Sequence, residues 1–290
     1  MVNSGAYWYN GHMKILNGSE LAGFIKERQA HEVRGLRQAH GVDPKLAIVS
    51  TGDHHANQVY MRMKKRYGED IQVETDLYNV AQSELMALLK KLNDDATVHG
   101  IIVQLPLENP DETDVVVNAI APAKDVDGLC GTPIYEPATP MAILWLLAGY
   151  NVDFRGKKII LVGRGKLVGE PLERMLTSGG HDVTVVRSKT PNADEVILSG
   201  DIVITATGKH GLITPQKLKK GAIVVDAGVA GEQGKTVGDL APEVYDRDDL
   251  TITPVKGGVG PLTICALFEN VIRAATATAS SEKQYENRGF

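Results

Sequence analysis

The sequence predicts an α/β protein of two domains, each built on a parallel sheet. Short apolar segments alternate with helical patterns along the whole chain, which is typical of parallel strands joined by crossover helices. In the second half, an apolar strand runs into closely spaced glycines and then into a helix, as at a nucleotide-binding turn. The chain has 290 residues, 43% of them hydrophobic, which is enough for two cores.

The N-terminal half is expected to form an α/β/α domain over residues 13–139. Residues 1–12 have neither a basic start nor an apolar core, so they are interpreted as an extension or leader rather than a signal peptide. The patterns predict strands at 46–49, 71–75 and 99–104, and helices at 19–38, from about 54 to 67, at 83–92 and at 114–120.

The second domain is expected over residues 140–265, after a helix at 140–149 that carries a proline in its first turn. A last helix at 263–276 is expected to pack back on the first domain, so that 266–290 forms a C-terminal helix and a frayed tail. The strands predicted for this domain are 159–162, 182–186, 201–206 and 222–226.

The strand at 159–162 leads directly into Gly163, Gly165 and Gly169, and a helix is predicted from 170 to 176. Glycines let the backbone turn sharply and approach a pyrophosphate, and the helix start supplies unpaired N–H groups. The spacing is one residue longer than the standard fingerprint, so an ordinary glycine-rich turn is the alternative. The context favours a Rossmann-type dinucleotide-binding domain.

The end of the next strand predicts which dinucleotide is bound. A ribose-binding carboxylate is expected about twenty residues after the first glycines, but Arg187, Ser188, Lys189 and Thr190 stand there. Cationic and hydroxyl groups bind a 2′-phosphate through charge-assisted hydrogen bonds, and Arg164 could reach the same phosphate. This pattern predicts NADP, and a solvated basic loop is the alternative.

Composition excludes several classes of protein. The net charge of −5 and the scattered basic residues argue against nucleic-acid binding. No segment is long and apolar enough to span a membrane. The only cysteines, Cys130 and Cys265, are far apart and lack metal-type spacing, which favours a reduced cytoplasmic protein with no metal site.

Four polar residues of the first domain follow or flank its strands. Tyr60 and Lys64 are four residues apart on a predicted helix and share a face, Gln104 ends a strand, and Asp127 lies in a turn. Each has an ordinary explanation: a solvated surface pair, a strand-end amide, and a carboxylate in turn chemistry before Gly128. Together they place an amine, a phenol, an amide and a carboxylate at the ligand-binding edge of a parallel sheet.

Seven motifs occur in a fixed order between residue 13 and about residue 275: YMRMK (60–64), GIIVQLPL (100–107), KDVDGL (124–129), VGRGKLVGEP (162–171), VVDAGV (224–229), VGDL (237–240) and TPVKGGVGPLT (253–263). In these motifs the chain resembles the bifunctional methylenetetrahydrofolate dehydrogenase/cyclohydrolase family. The resemblance implies NADP-dependent oxidation of methylenetetrahydrofolate to the methenyl form, and hydrolysis of that to formyltetrahydrofolate. It also implies a deep cleft between the two domains and a homodimer.

The resemblance assigns roles to the four polar residues. Lys64 is implied as the central cyclohydrolase residue, Gln104 as its hydrogen-bond partner, Tyr60 as the residue that positions the folate, and Asp127 as the pterin-binding carboxylate. Cationic neighbours are expected to lower the pKa of a buried lysine. Further substrate contacts are implied at Gly257, Gly258 and Pro261, and cofactor contacts at Gly163, Arg164, Gly165, Val168, Gly169, Arg187, Ser188, Lys189, Thr207, Gly208, Gly228 and Val229.

The chain departs from the family pattern at several positions. Gly165 replaces a serine of the glycine turn, Lys256 replaces a proline, Asn57 replaces a serine, and the loop between Gly128 and Pro140 is short. Gly165 and Arg187 bear on the contact with the 2′-phosphate, and the short loop bears on contacts with the folate tail or on the rate of one activity.

Two other functions stay open. One is a dehydrogenase without cyclohydrolase activity, against which the intact set of Tyr60, Lys64, Gln104 and Asp127 argues, and the other is a non-catalytic NADP-binding sensor. A two-domain shikimate-type dehydrogenase would be expected to carry a different lysine and aspartate pair.

Overall fold

The computed structural model describes residues 13–52, 55–232 and 235–286, so the expected leader over 1–12 lies outside the described residues. In chain order the elements are β1 (Lys14–Ile15), α1 (Gly18–His40), β2 (Lys45–Thr51), α2 (His55–Ile71), β3 (Glu74–Val80), α3 (Gln82–Asp94), β4 (Gly100–Val103), α4 (Thr113–Asn118), α5 (Ala138–Gly149), β5 (Ile159–Val162), α6 (Gly169–Ser178), β6 (Val183–Val186), α7 (Ala193–Leu198), β7 (Ile202–Thr205), β8 (Ile223–Asp226), β9 (Ala230–Glu232), β10 (Lys235–Val237), β11 (Thr251–Ile252) and α8 (Val259–Glu286).

The described chain folds as two compact units, which confirms the predicted two-domain α/β class. The six-stranded unit comprises residues 13–19 and Ile143–Gly260, and the three-stranded unit comprises Glu20–Ala142 and the chain from residue 261. Among residues 13–52, 55–232 and 235–286, none of the helices combines the length and apolarity of a membrane span.

The six-stranded unit contains a parallel sheet with the strand order β1-β11-β8-β7-β5-β6. All four residues of both β5 and β7 are buried, as expected for strands covered on both faces. Ile160, Val203 and Val224 lie in one apolar core beside this sheet. The sheet therefore forms a rigid base for the loops that follow its strands.

Residues 13–19 belong to the six-stranded unit, whereas the sequence assigned them to the N-terminal domain. The N–H of Lys14 donates to Leu250 O at 2.9 Å, and the N–H of Leu16 donates to Ile252 O at 2.8 Å. This pairing joins β1 to β11 in parallel. A two-residue strand has too little pattern to be predicted from sequence, and its partner lies more than two hundred residues away.

The three-stranded unit contains the parallel sheet β3-β2-β4. Helix α3 buries Leu85, Leu89 and Leu92, which are spaced so that they share one face against this sheet. An isolated parallel bridge between Ile101 and Asp125 continues the sheet beyond β4. The bridge brings the chain around Asp125 next to β4.

Most predicted elements are confirmed, including β5 over the predicted four residues. The strand predicted at 71–75 is wrong, because α2 continues to Ile71 and β3 begins only at Glu74. Ile71 and Val73 are buried, so their apolar character reflects core packing at a helix end rather than a strand. In β3 only Thr75 is buried, and partly exposed residues alternate with exposed ones from Asp76 to Val80, so the pattern was too weak to extend the prediction to Val80.

Candidate active site

Helix α2 carries Tyr60 and Lys64 one turn apart, and both side chains are half-buried. Tyr67, about one turn beyond Lys64, fixes this helix to its neighbours. Its hydroxyl donates to Gln29 Oε1 of α1 at 2.8 Å and to Cys265 Sγ of α8 at 3.2 Å. These bonds hold the face of α2 that presents Lys64.

Lys64 and Gln104 are in direct contact, although forty residues separate them in the sequence. Lys64 Nζ donates to Gln104 Oε1 at 3.0 Å. Gln104 follows β4, and its backbone N–H donates to Val49 O at 2.7 Å, which extends the pairing of β4 with β2 by one residue. The amide is therefore presented at the carboxyl end of the sheet by the sheet's own hydrogen bonds.

Asp127 lies in a turn whose backbone is held by buried side chains. The Asp125 carboxylate accepts hydrogen bonds from the N–H groups of Gly128, at 3.1 Å, and Cys130, at 2.8 Å. Asn270 of α8 is fully buried, and its Nδ2 donates to Val126 O and Glu136 O, both at 2.9 Å. Asp127 is thus flanked on both sides by fixed backbone.

Burial changes the ionisation of both charged groups at this site. It lowers the pKa of the Lys64 ammonium, and the nearby Asp127 charge opposes the shift. It raises the pKa of the Asp127 carboxyl, which the Lys64 charge lowers and the Asp125 charge raises. Each group therefore favours its neutral form more than it would in water.

The cause of the lysine shift differs from the one expected from sequence. Cationic neighbours were expected to lower the pKa, but Arg62, Lys65 and Arg66 are all exposed on α2. Removal of the ammonium from water is the cause that lowers it. Sequence shows which charges are neighbours on a helix, whereas burial depends on what packs over it.

The expected cofactor residues gather along one edge of the six-stranded sheet. The last residues of four neighbouring strands are in register, with Val162 beside Val186 and Thr205, and Thr205 beside Asp226. The loops that follow therefore start at the same level of the sheet. They carry Gly163, Arg164, Gly165 and Val168 after β5, Arg187, Ser188 and Lys189 after β6, Thr207 and Gly208 after β7, and Gly228 and Val229 after β8.

Two glycines of the turn after β5 are required by its geometry. Gly163 has φ +98°, and a Cβ there would lie 2.7 Å from Ala206 O. A Cβ on Gly169, the first residue of α6, would lie 2.2 Å from Gly163 O. Gly165 differs, because a Cβ there would meet no atom within 4 Å. The close approach of α6 to the turn fits a pyrophosphate at the helix start.

Arg164 and the basic segment after β6 have different surroundings. Arg187, Ser188 and Lys189 are exposed, and the Arg187 N–H donates to Thr190 Oγ1 at 2.8 Å, which closes this turn. The Arg164 guanidinium instead forms ion pairs with Glu170 and Glu173 of α6. The sequence pattern gave no indication of these two pairs.

Asp239 fixes the loop after β7. Its carboxylate accepts hydrogen bonds from Thr205 Oγ1 at 2.5 Å, Thr207 N at 2.7 Å and Lys209 N at 2.9 Å. Asp226 in turn accepts from the N–H groups of Gly228, at 2.9 Å, and Asp239, at 3.1 Å. Burial raises the pKa of Asp226, although the N–H donors oppose the shift.

The three remaining predicted substrate residues lie around the start of α8. Gly257 has φ +83°, and its carbonyl accepts from the N–H of Ser19 at 2.9 Å. Gly258 follows it, and both belong to the six-stranded unit, whereas Pro261 belongs to the three-stranded unit. Within the described ranges, no group of three His, Cys, Asp or Glu side chains is arranged to hold a metal ion.

Sequence reasoning did not identify the residues that support the site. Asp125 and Asn270 hold the turn around Asp127, and Asp226 and Asp239 hold the nucleotide-side loops. A signal was present: an aspartate closes the apolar strand 223–226, and an asparagine interrupts an apolar helix. Polar residues inside apolar elements are buried with fixed partners, which is their role here.

Comparison with known proteins identifies the family. The model of the tetrahydrofolate dehydrogenase/cyclohydrolase catalytic domain matches residues 16–127, and that of the family's NAD(P)-binding domain matches residues 137–279. A bifunctional protein FolD of Acetivibrio thermocellus is 39% identical over 280 residues, which cover 92% of this chain and 98% of that protein.

Solved structures of similar proteins have the same fold. The bifunctional FolD enzyme of Campylobacter jejuni aligns with a TM-score of 0.83 at 35% identity, over 91% of this chain and 99% of that one. The Trypanosoma brucei dehydrogenase-cyclohydrolase, solved with NADP cofactor and an inhibitor, aligns with a TM-score of 0.85 at 29% identity, over 92% and 98%. The chain therefore belongs to the tetrahydrofolate dehydrogenase/cyclohydrolase family.

Proposed function

We propose that this chain oxidises methylenetetrahydrofolate to methenyltetrahydrofolate with NADP, and then hydrolyses the product to formyltetrahydrofolate. The observation that carries the proposal is the contact of Lys64 Nζ with Gln104 Oε1 at 3.0 Å, at a half-buried site where the charge of Asp127 also acts on the lysine. Membership of the family supports both activities.

Lys64 is the residue proposed to activate water. The methenyl carbon is cationic, and an ammonium would repel it, whereas a neutral amine can accept a proton from the attacking water. Burial lowers the pKa of Lys64 and so populates that neutral form. Gln104 Oε1 accepts one N–H of the amine, so the lone pair of the neutral amine is left to accept a proton from water.

Asp127 and Tyr60 are proposed to hold the folate. The pterin ring presents N–H donors, and a carboxylate is an acceptor for them. The hydrogen bonds made by Asp125 and Asn270 fix the turn, so Asp127 needs little reordering when it binds. Tyr60, on the same face of α2 as Lys64, is proposed to pack against the ring. Gly257, Gly258 and Pro261 are proposed as further substrate contacts.

NADP supplies the hydride acceptor of the first reaction. The chain's own contribution is to bind and orient, since hydride transfer needs no proton moved by a side chain. The proposed binding residues are those of the loops after β5, β6, β7 and β8. Exposed Arg187 and Lys189 can meet a 2′-phosphate with charge-assisted hydrogen bonds, and Arg164 lies in the glycine turn near the same edge.

A spectrophotometric assay with the purified chain tests the function. Methylenetetrahydrofolate is incubated with NADP, and the reduced cofactor and the methenyl chromophore are followed with and without an acid quench, which converts formyl product back to methenyl. Cofactor reduction with extra methenyl after the quench is expected. Reduction of NADP without extra methenyl after the quench would indicate a dehydrogenase that lacks cyclohydrolase activity. Binding of NADP without its reduction would indicate a non-catalytic sensor.

The assembly and location are further parts of the proposal. We infer a cytoplasmic homodimer, which the family resemblance supports. Light scattering after size-exclusion chromatography should give twice the 31.3 kDa chain mass. A monomer mass at micromolar concentration would reject the dimer, and fractionation of the source cells tests the location.

A further inference from the structure

The cation in the glycine turn is already neutralised by carboxylates of the same unit. Arg164 Nη1 lies 2.9 Å from Glu170 Oε1, and Arg164 Nε lies 2.5 Å from Glu173 Oε2. Both glutamates belong to α6, which starts five residues after Arg164. One positive and two negative charges therefore stand together beside the expected nucleotide site.

These pairs lie at the surface of the unit. The side chains of Arg164, Glu170 and Glu173 are 32%, 45% and 29% exposed, so solvent screens their attraction and each pair contributes only modestly. The hydrogen bond with Glu173 and the charge of Glu170 raise the pKa of Arg164. Two of the five N–H donors of the guanidinium have carboxylate acceptors, which leaves fewer for another anion.

We propose that Glu170 and Glu173 are specificity-determining residues for the nicotinamide cofactor. They compete with the 2′-phosphate of NADP for the Arg164 guanidinium and repel that phosphate, which narrows the preference for NADP over NAD. The inference rests on the proposed function, in which Arg164 lies near the 2′-phosphate. NAD carries a neutral hydroxyl at this position, so the two carboxylates penalise NADP more than NAD.

Removal of either negative charge should tighten NADP binding. In Glu173→Gln and Glu170→Gln the side chain keeps its shape and loses its charge. The free energy of a partly exposed ion pair corresponds to about a twofold to fivefold change in affinity. The ratio of NADP affinity to NAD affinity should rise by that factor in each variant, because NAD affinity changes less.

Calorimetric titration of the full chain with NADP and with NAD measures both affinities. The matched control is Glu195→Gln, because Glu195 is an exposed glutamate on α7 of the same unit and its removal changes the net charge equally. Glu195→Gln should leave the ratio of NADP to NAD affinity unchanged. Retained NAD binding in every variant also shows that the site remains folded.

Arg164→Ala separates failure of this inference from failure of the proposed contact. If Arg164→Ala weakens NADP binding while neither glutamine variant tightens it, the phosphate contact stands and the competition is rejected. If Arg164→Ala changes neither affinity, both the contact and the competition are rejected. Equal tightening by Glu195→Gln would attribute the effect to overall charge and also overturn the inference.

Discussion

Lys64 is the residue on which hydrolysis depends in the proposed mechanism. Lys64→Met keeps much of the apolar stem and removes the amine, so packing should change little. Hydrolysis of methenyltetrahydrofolate should fall at least about 10²-fold, the usual loss for an acid–base group, while NADP-dependent oxidation stays measurable. Rates with each supplied substrate check this. Lys65→Met is the control, since Lys65 is an exposed neighbour on α2. A Lys64→Met protein that hydrolyses methenyltetrahydrofolate at the wild-type rate would refute the role of Lys64.

The lowered pKa of Lys64 predicts a pH dependence of the rate. Burial lowers this pKa below its ordinary value of 10.5, so the active neutral amine increases as the pH rises through the lowered value. The hydrolysis rate of the wild type should rise with it and level off before pH 10.5. A pH–rate profile below the alkaline limit of substrate stability measures this, and a flat profile would contradict it.

The same shift predicts how stability changes with pH. Between the lowered pKa and 10.5 the unfolded lysine binds a proton that the folded lysine does not, so the stability contributed by Lys64 rises with pH in this window. The melting temperature of the wild type relative to Lys64→Met should therefore rise with pH through this window, up to 10.5. A constant difference would mean that the ammonium is solvated in the folded protein.

At the scale of elements, the junction of β5 with α6 depends on Gly169 more than on Gly165. Gly169→Ala puts a Cβ 2.2 Å from Gly163 O, so the helix start must move away from the turn. NADP binding should be lost or weakened at least tenfold, the effect of about 1.4 kcal/mol. Gly165→Ala is the matched control, because its Cβ meets no atom within 4 Å. Calorimetry with NADP compares them, and equal affinities would show that the turn adapts.

At the scale of the whole molecule, the two chemistries depend on different units. Lys64, Gln104 and Asp127 belong to the three-stranded unit, and the glycine turn belongs to the six-stranded unit. Gly169→Ala should therefore lose oxidation but still hydrolyse supplied methenyltetrahydrofolate. Lys64→Met should keep oxidation but lose this hydrolysis. A mixture of the two variants should convert methylene- to formyltetrahydrofolate, because released intermediate passes between them. If a folded Gly169→Ala protein also lost hydrolysis, this division would be wrong.

Local pattern was sufficient to predict many of the elements and failed in identifiable places. The buried strand Ile159–Val162 and the helix after its glycines follow from an unbroken apolar run and a turn signal. The two-residue strands β1 and β11 carry no such pattern, since each exists only by pairing with a distant segment. The prediction of residues 71–75 as a strand failed because apolar residues at a helix end and in a strand look alike.

The sequence by itself determined the two-domain α/β class, the family, and the residue types of the site, because glycine turns, buried strands and ordered motifs are local features. Only the tertiary structure decided which of those residues meet. Lys64 contacts Gln104, and burial rather than its cationic neighbours lowers its pKa. Arg164 forms ion pairs with Glu170 and Glu173 of α6. Contacts, burial and ion pairing depend on packing between segments far apart in the chain, and a sequence read in order does not contain those distances.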